Sequence, residues 1–197
     1  MELLILARHG ETEWNTLRLV NGDPSVDVRL SEQGREEARR LGAELAGEPV
    51  DLCVTSGFPR TDETAELALD GRAVSRLLVA DLGDPDYGSF EGDPLDDYRA
   101  WAAEHPSTAA PGGDGEPRHA IVGRYARGLR LLLARPVGTI LAVLHSLPVA
   151  YAVGALEGRP PEPRVALVAN AHPYRFTRDE LERVVELLEG WCAAPTW

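Results

Sequence analysis

The residues best suited to chemistry are the stretch Arg8-His9-Gly10-Glu11-Thr12-Glu13-Trp14-Asn15, then Arg60 and His145. A phosphoryl group is compact and strongly anionic, and the planar fork of arginine matches the spacing of its oxygens. Arg8 and Arg60 therefore form a candidate clamp. An unperturbed imidazole titrates near about 6.5, so a neutral histidine can attack phosphorus at ordinary pH with little tuning. His9 is the candidate nucleophile. His145 is a candidate donor to a nonbridging oxygen, where a protonated ring would best stabilise charge building on the transferring group. Gly10 would keep the backbone beside the phosphate uncrowded.

Each candidate follows an apolar run that could hold it in place. Leu3-Leu4-Ile5-Leu6-Ala7 is short and sharply bounded, as in a buried parallel strand, and it ends at Arg8-His9. Val50-Asp51-Leu52-Cys53-Val54 reads as a second strand that stops at Thr55-Ser56, before a helix starting at Pro59. Arg60 falls in that helix's first turn, where the helix dipole disfavours a cation unless an anion binds there. Gly138-Thr139-Ile140-Leu141-Ala142-Val143-Leu144 reads as a third strand; it delivers His145 to a turn where Ser146 can cap a helix from Pro148 to Leu156. Ser31 caps another helix, with Ala38, Leu41 and Leu45 facing inward and Gly47 and Pro49 ending it. Strands alternating with helices imply an α/β fold in three layers, α/β/α, with a mostly parallel central sheet and helices on both faces. Ligands of such sheets collect beyond the carboxyl ends of the strands.

The pattern changes between residues 82 and 135. Residues 82–117 are expected to form a small cap insertion within a single domain spanning 1–197, with a short helix bearing Tyr98 and Trp101. Trp14 and Trp101 could line the site or pack at its rim. A long helix with Ile121, Val122, Tyr125, Leu129, Leu132 and Leu133 on its apolar face follows the cap. Val165-Ala166-Leu167-Val168-Ala169 is expected to be a further strand, antiparallel at the edge. Residues 179–189 have helical spacing, with a terminal strand as the alternative.

Composition narrows the partners. All 20 basic residues are arginine, and against 32 acidic ones they leave a net charge of −12, which disfavours nucleic acid and anionic membranes. A phosphate site must therefore be a local positive island for a small-molecule phosphoester. Cys53 and Cys192 have neither disulfide nor metal-ligand spacing, and His105, His119 and His172 form no metal-binding pattern, so no cofactor or metal is expected. The opening residues carry no basic leader or cleavage signal and no apolar run reaches about 18 residues, so the expectation is a cytoplasmic protein. Self-association into a homodimer stays open.

The run Arg8-His9-Gly10-Glu11-Thr12-Glu13-Trp14-Asn15 resembles the first motif of the histidine phosphatase (phosphoglycerate mutase-like) superfamily. The likeness continues through Asn21-Gly22-Asp23-Pro24, Leu30-Ser31-Glu32-Gln33-Gly34, Thr55-Ser56 with Arg60, the stretch from Leu82 to Gly92, and His145. It implies a metal-independent phosphomonoesterase with a phosphohistidine intermediate on His9. It also implies a carboxylic acid at Asp84 that protonates the leaving group and then takes a proton from water, with Glu91 as the alternative acid. Asn15 and Thr12 resemble the family's auxiliary phosphate-contacting residues.

Departures from the family pattern sit at Asp84, where glutamate is usual, at Ser146-Leu147-Pro148, usually glycine-rich, at Ser56-Gly57-Phe58-Pro59-Arg60-Thr61, and at Gly113-Asp114-Gly115 before the long helix. Ser146, beside His145, is counted with the substrate-binding residues Arg8, Gly10, Thr12, Asn15 and Arg60. Two other functions stay in view: a phosphoglycerate mutase, which returns the phosphoryl group to a bound intermediate, and a non-catalytic phospholigand-binding protein.

Overall fold

The computed structural model describes residues 1–197. In chain order its elements are β1 (Leu3–Arg8), the one-turn helix α1 (Glu13–Thr16), α2 (Glu32–Glu44), β2 (Val50–Thr55), α3 (Pro59–Ala68), β3 (Ser75–Leu78), α4 (Leu95–Glu104), α5 (Arg118–Leu133), β4 (Thr139–Leu144), α6 (Ser146–Leu156), β5 (Tyr174–Thr177) and α7 (Arg178–Ala193). The strands form one sheet in the order β3-β2-β4-β1-β5. All neighbours are parallel except β5, which runs antiparallel to β1.

The central strands read as continuous apolar runs because both sheet faces are covered. Leu4, Leu6, Ile140, Ala142 and Leu144 point into one core with α5, α6 and α7, whereas Ile5, Ala7, Cys53, Leu141 and Val143 point into a second with α2 and α3. That alternation makes the three layers. In register, Arg8 pairs with Leu144 and Thr55 with Val143, so His9, Ser56 and His145 all emerge at one sheet edge.

Local signals set the helix starts. The Ser31 hydroxyl accepts the Gly34 N–H, Pro59 opens α3, and Pro117 precedes α5. Thr177 and Glu180 form a capping box that fixes the C-terminal segment as the helix α7. No helix is long and apolar enough to cross a membrane.

Two expectations fail here. Residues 165–169 form no strand, because their backbone groups bond to side chains instead of a ladder. The Val168 carbonyl accepts from Arg8, the Val168 N–H donates to the Ser146 hydroxyl, and the Val165 carbonyl accepts from Arg99. The edge beside β1 is taken by β5. Ser146 is also not a cap: α6 starts at Ser146 itself, His145 holds the cap position without a side-chain bond, and the Ser146 hydroxyl is committed to Val168. The short strand β3 had no expectation attached to it. Residues 82–117 wrap a separate apolar cluster in which Val20, Tyr87 and Tyr98 are packed by Phe90, Leu95 and Trp101.

Candidate active site

His9 leaves β1 at its carboxyl end and is 2% exposed. Its Nδ1 lies 2.7 Å from the Gly10 carbonyl, which can only accept. We therefore place the ring proton on Nδ1, which leaves Nε2 with its lone pair free. Burial, then the Arg60 and Arg8 charges and His145, hold His9 well below the usual imidazole range, so the ring is neutral at pH 7. Arg8 is likewise buried. It donates to the Val168 carbonyl at 3.0 Å, its Nε has no partner, and no carboxylate pairs with it.

Arg60 is more tightly held. Nη1 donates to Asn21 Oδ1 at 2.6 Å, while Nη2 donates to the Asn21 carbonyl at 2.9 Å and to Asp84 Oδ2 at 2.8 Å. The guanidinium also sits over the Phe58 ring, 4.4 Å from its centroid. Burial alone would push the Asp84 carboxyl up, but the facing His145 ring and Arg60 pull it well below the usual carboxylate range. Asp84 is therefore a carboxylate in this state.

His145 is fully buried behind that pair, edge-on to His9 with ring centroids 5.5 Å apart. Its Nε2 meets the Ser56 hydroxyl at 2.7 Å. Nδ1 faces the Asp84 carboxylate, so we assign a ring proton to Nδ1; the Thr61 hydroxyl, which donates to the Phe58 carbonyl, can only accept from Ser56. Nδ1 lies 3.1 Å from Asp84 Oδ2 but off the line a hydrogen bond needs, so it is a buried donor without a hydrogen-bonded acceptor. Burial, opposed by Asp84 and helped by Arg60, brings His145 down to about 4. The ring thus presents Nδ1–H toward Asp84 from a buried position.

The other expected residues divide. Thr12 caps α1 by accepting the Asn15 N–H, and Asn15 Oδ1 accepts the Thr12 N–H in return, so the Asn15 amino group remains free. Both line the cavity that holds His9, as do Arg8, Arg60, Asp84 and Ser146. Gly10 does not line it. A Cβ there would collide with the Gly34 carbonyl, so the position is small for packing against α2, and its own carbonyl orients His9. Glu91 is also absent from the cavity; its carboxylate accepts from Asn21 and from the Gly22 N–H, tying down the loop that carries Asn21.

Residues 4–189 match the family described as the histidine phosphatase superfamily (branch 1). The chain belongs to that superfamily. A 2,3-bisphosphoglycerate-dependent phosphoglycerate mutase from Mesorhizobium japonicum is 31% identical over 205 residues, covering 95% of this chain and 98% of that one. The same enzyme from Azorhizobium caulinodans is 42% identical over 103 residues, 50% of this chain and 49% of that one. Among solved structures, the alpha-ribazole phosphatase from Shigella flexneri superimposes with a TM-score of 0.76 at 27% identity, covering 88% of this chain and 89% of that one. Relatives named as mutases and as phosphatases thus share this fold.

In this member of the superfamily the cavity is open to solvent, and its walls run on from Arg8, His9 and Arg60 to Tyr98, Arg99, Arg118 and Pro163, more lining than a phosphoryl group alone would touch. Several lining residues carried no expected role: Asn21, Tyr87, Arg99 and Arg118. Asn21 had a sequence signal, but in Asn21-Gly22-Asp23-Pro24 it reads as a turn residue. Ser56, quoted only as part of a motif, proves to be the partner of His145.

Proposed function

We propose that the protein hydrolyses phosphomonoesters of small metabolites through a phosphohistidine on His9, without a metal ion, and that residues 82–117 act as the cap of a single domain. The observation that carries this reading is the freed Nε2 of a neutral His9 beside Arg8, a buried guanidinium with no carboxylate partner.

Nε2 attacks phosphorus as the P–O bond to the leaving group breaks. Arg8, Arg60 and the Nδ1–H of His145 hold the nonbridging oxygens, and the Asn15 amino group supports them. Asp84 gives its proton to the departing oxygen. Water then attacks phospho-His9 and passes a proton to Asp84 as the P–N bond breaks, which releases phosphate and neutral His9.

Asp84 must first be protonated, although Arg60 keeps it ionised in the state described above. A phosphoester has its second pKa near about 6, so its monoanion can carry the needed proton in. When phosphoryl oxygens take over Arg60, the carboxyl loses a partner that depresses it, and burial then favours the acid form.

The test is phosphate release from a panel of phosphoesters in the presence of a chelator. Wild type should turn over at least one ester, and His9→Ala none. Acid quenching during turnover should leave an alkali-stable, acid-labile phosphohistidine. No turnover above His9→Ala on any ester overturns the hydrolase reading, and ligand binding without the adduct supports a non-catalytic binding protein. The mutase reading is favoured by the relatives that bear that name; interconversion of the two monophosphoglycerates would establish it in place of hydrolysis.

A further inference from the structure

Arg118 opens α5 and is 7% exposed. The chain has 32 acidic residues, yet none pairs with this guanidinium. Its Nη1 donates to the Tyr151 hydroxyl at 3.0 Å and Nη2 to the Tyr98 hydroxyl at 3.1 Å. Those bonds use two of the five N–H donors an arginine carries, and Nε is buried with no partner. Tyr151 passes its own proton to the Glu162 carbonyl. Tyr98, 3% exposed, accepts from Arg118 and donates to nothing in the protein. A buried cation, a free hydroxyl proton and the positive end of a 16-residue helix therefore converge without a counter-charge.

Arg118 and Tyr98 line the same cavity as His9. The same cavity wall also carries Trp14, Leu19, Val20, Leu95 and Leu147, together with Arg18, which pairs with Asp96, and Arg99, which donates to the Val165 carbonyl. We propose that Arg118 and the Tyr98 hydroxyl form a second anion subsite, which takes a carboxylate at the far end of the leaving group while an apolar body lies along that wall. The arginine fork fits a planar carboxylate, and the Tyr98 hydroxyl beside it can donate to one of its oxygens. The substrate class is then a phosphomonoester of an apolar, ring-sized carboxylic acid. The identity of the first group rests on the hydrolase reading, whereas the subsite itself rests on Arg118 and Tyr98.

The experiment compares 4-carboxyphenyl phosphate with its carboxamide, which has nearly the same shape and lacks the charge. Wild type should favour the carboxylate by roughly tenfold or more in kcat/KM. Arg118→Gln should bring that ratio to about one, Arg118→Lys should restore part of it, and Tyr98→Phe should cut it severalfold. A wild-type ratio near one overturns the proposal. So does a parallel fall for both esters in Arg118→Gln with the ratio intact, since that is what loss of a purely structural tie would give. Calorimetric binding of the two esters to His9→Ala, with and without Tyr98→Phe, makes the same comparison without turnover and covers the case in which Arg118→Gln does not fold. If wild type hydrolyses no ester of the wider panel but still binds the carboxylate preferentially through Arg118, the hydrolase reading fails and the subsite stands.

Discussion

At Asp84 burial favours the acid and Arg60 favours the carboxylate, and the step assigned to this residue needs the acid. The balance makes the role measurable. Asp84→Asn keeps the shape and hydrogen-bonding reach but cannot supply a proton, so kcat/KM for alkyl phosphates should fall about 10²- to 10⁴-fold. A p-nitrophenyl ester, whose leaving group departs without protonation, should lose much less, and a leaving-group series in wild type and variant reads the difference. An equal loss across the series would remove Asp84 as the acid. His9 and Arg8 were legible in the sequence because their chemistry is local to one strand end. Arg118 was not: the helix-start argument that singles out Arg60 applies to it equally, but the tyrosines that make it informative lie 20 and 33 positions away in the chain.

One guanidinium pins the loop that presents Asp84. Arg124 on α5 donates to the carbonyls of Asp81, Gly83 and Asp84 at 2.7–2.9 Å, and Glu116 holds it from the other side. Arg124→Met should leave those carbonyls without a donor, costing about 2 kcal/mol of stability in a urea melt. It should also steepen the dependence of rate on leaving-group pKa, because a loosened Asp84 delivers its proton less well. Lower stability with an unchanged leaving-group slope would make Arg124 a structural brace alone. Elements were legible where composition and burial agree, as in β1, β2 and β4, whose apolar runs sit between two cores. β3 escaped because Ser75-Arg76-Leu77-Leu78 is half polar and lies at the exposed edge. Residues 165–169 misled because their apolar side chains fit a strand equally well: Val165 and Leu167 line the cavity, and the site arginines hold the backbone.

For the molecule as a whole, placing two imidazoles at the buried edge of the sheet ties stability to pH. Both are held below the usual imidazole range by burial first, and His145 titrates at about 4 when folded. Below about 6.5 the unfolded chain binds a proton at each of these positions that the folded chain resists, at His145 down to about 4, so stability falls as pH drops through this range. Asp84 acts only lower, since a depressed carboxyl loses its contribution as pH falls beneath the ordinary carboxylate range, about 3.8. The charge of −12 works in the opposite sense, because protonating acidic residues relieves their repulsion, but most of that happens below about pH 5. The range from 6.5 to 5 therefore isolates the histidines. His145 alone should remove about 2 kcal/mol by pH 5. Wild-type melting temperature should be nearly flat from pH 8 to 7 and then decline, and His145→Asn should decline visibly less over the same range. An identical slope in the variant would mean that His145 is charged in the folded protein. The donor at the back of the site would then be an imidazolium paired with Asp84 at 3.1 Å rather than a neutral ring.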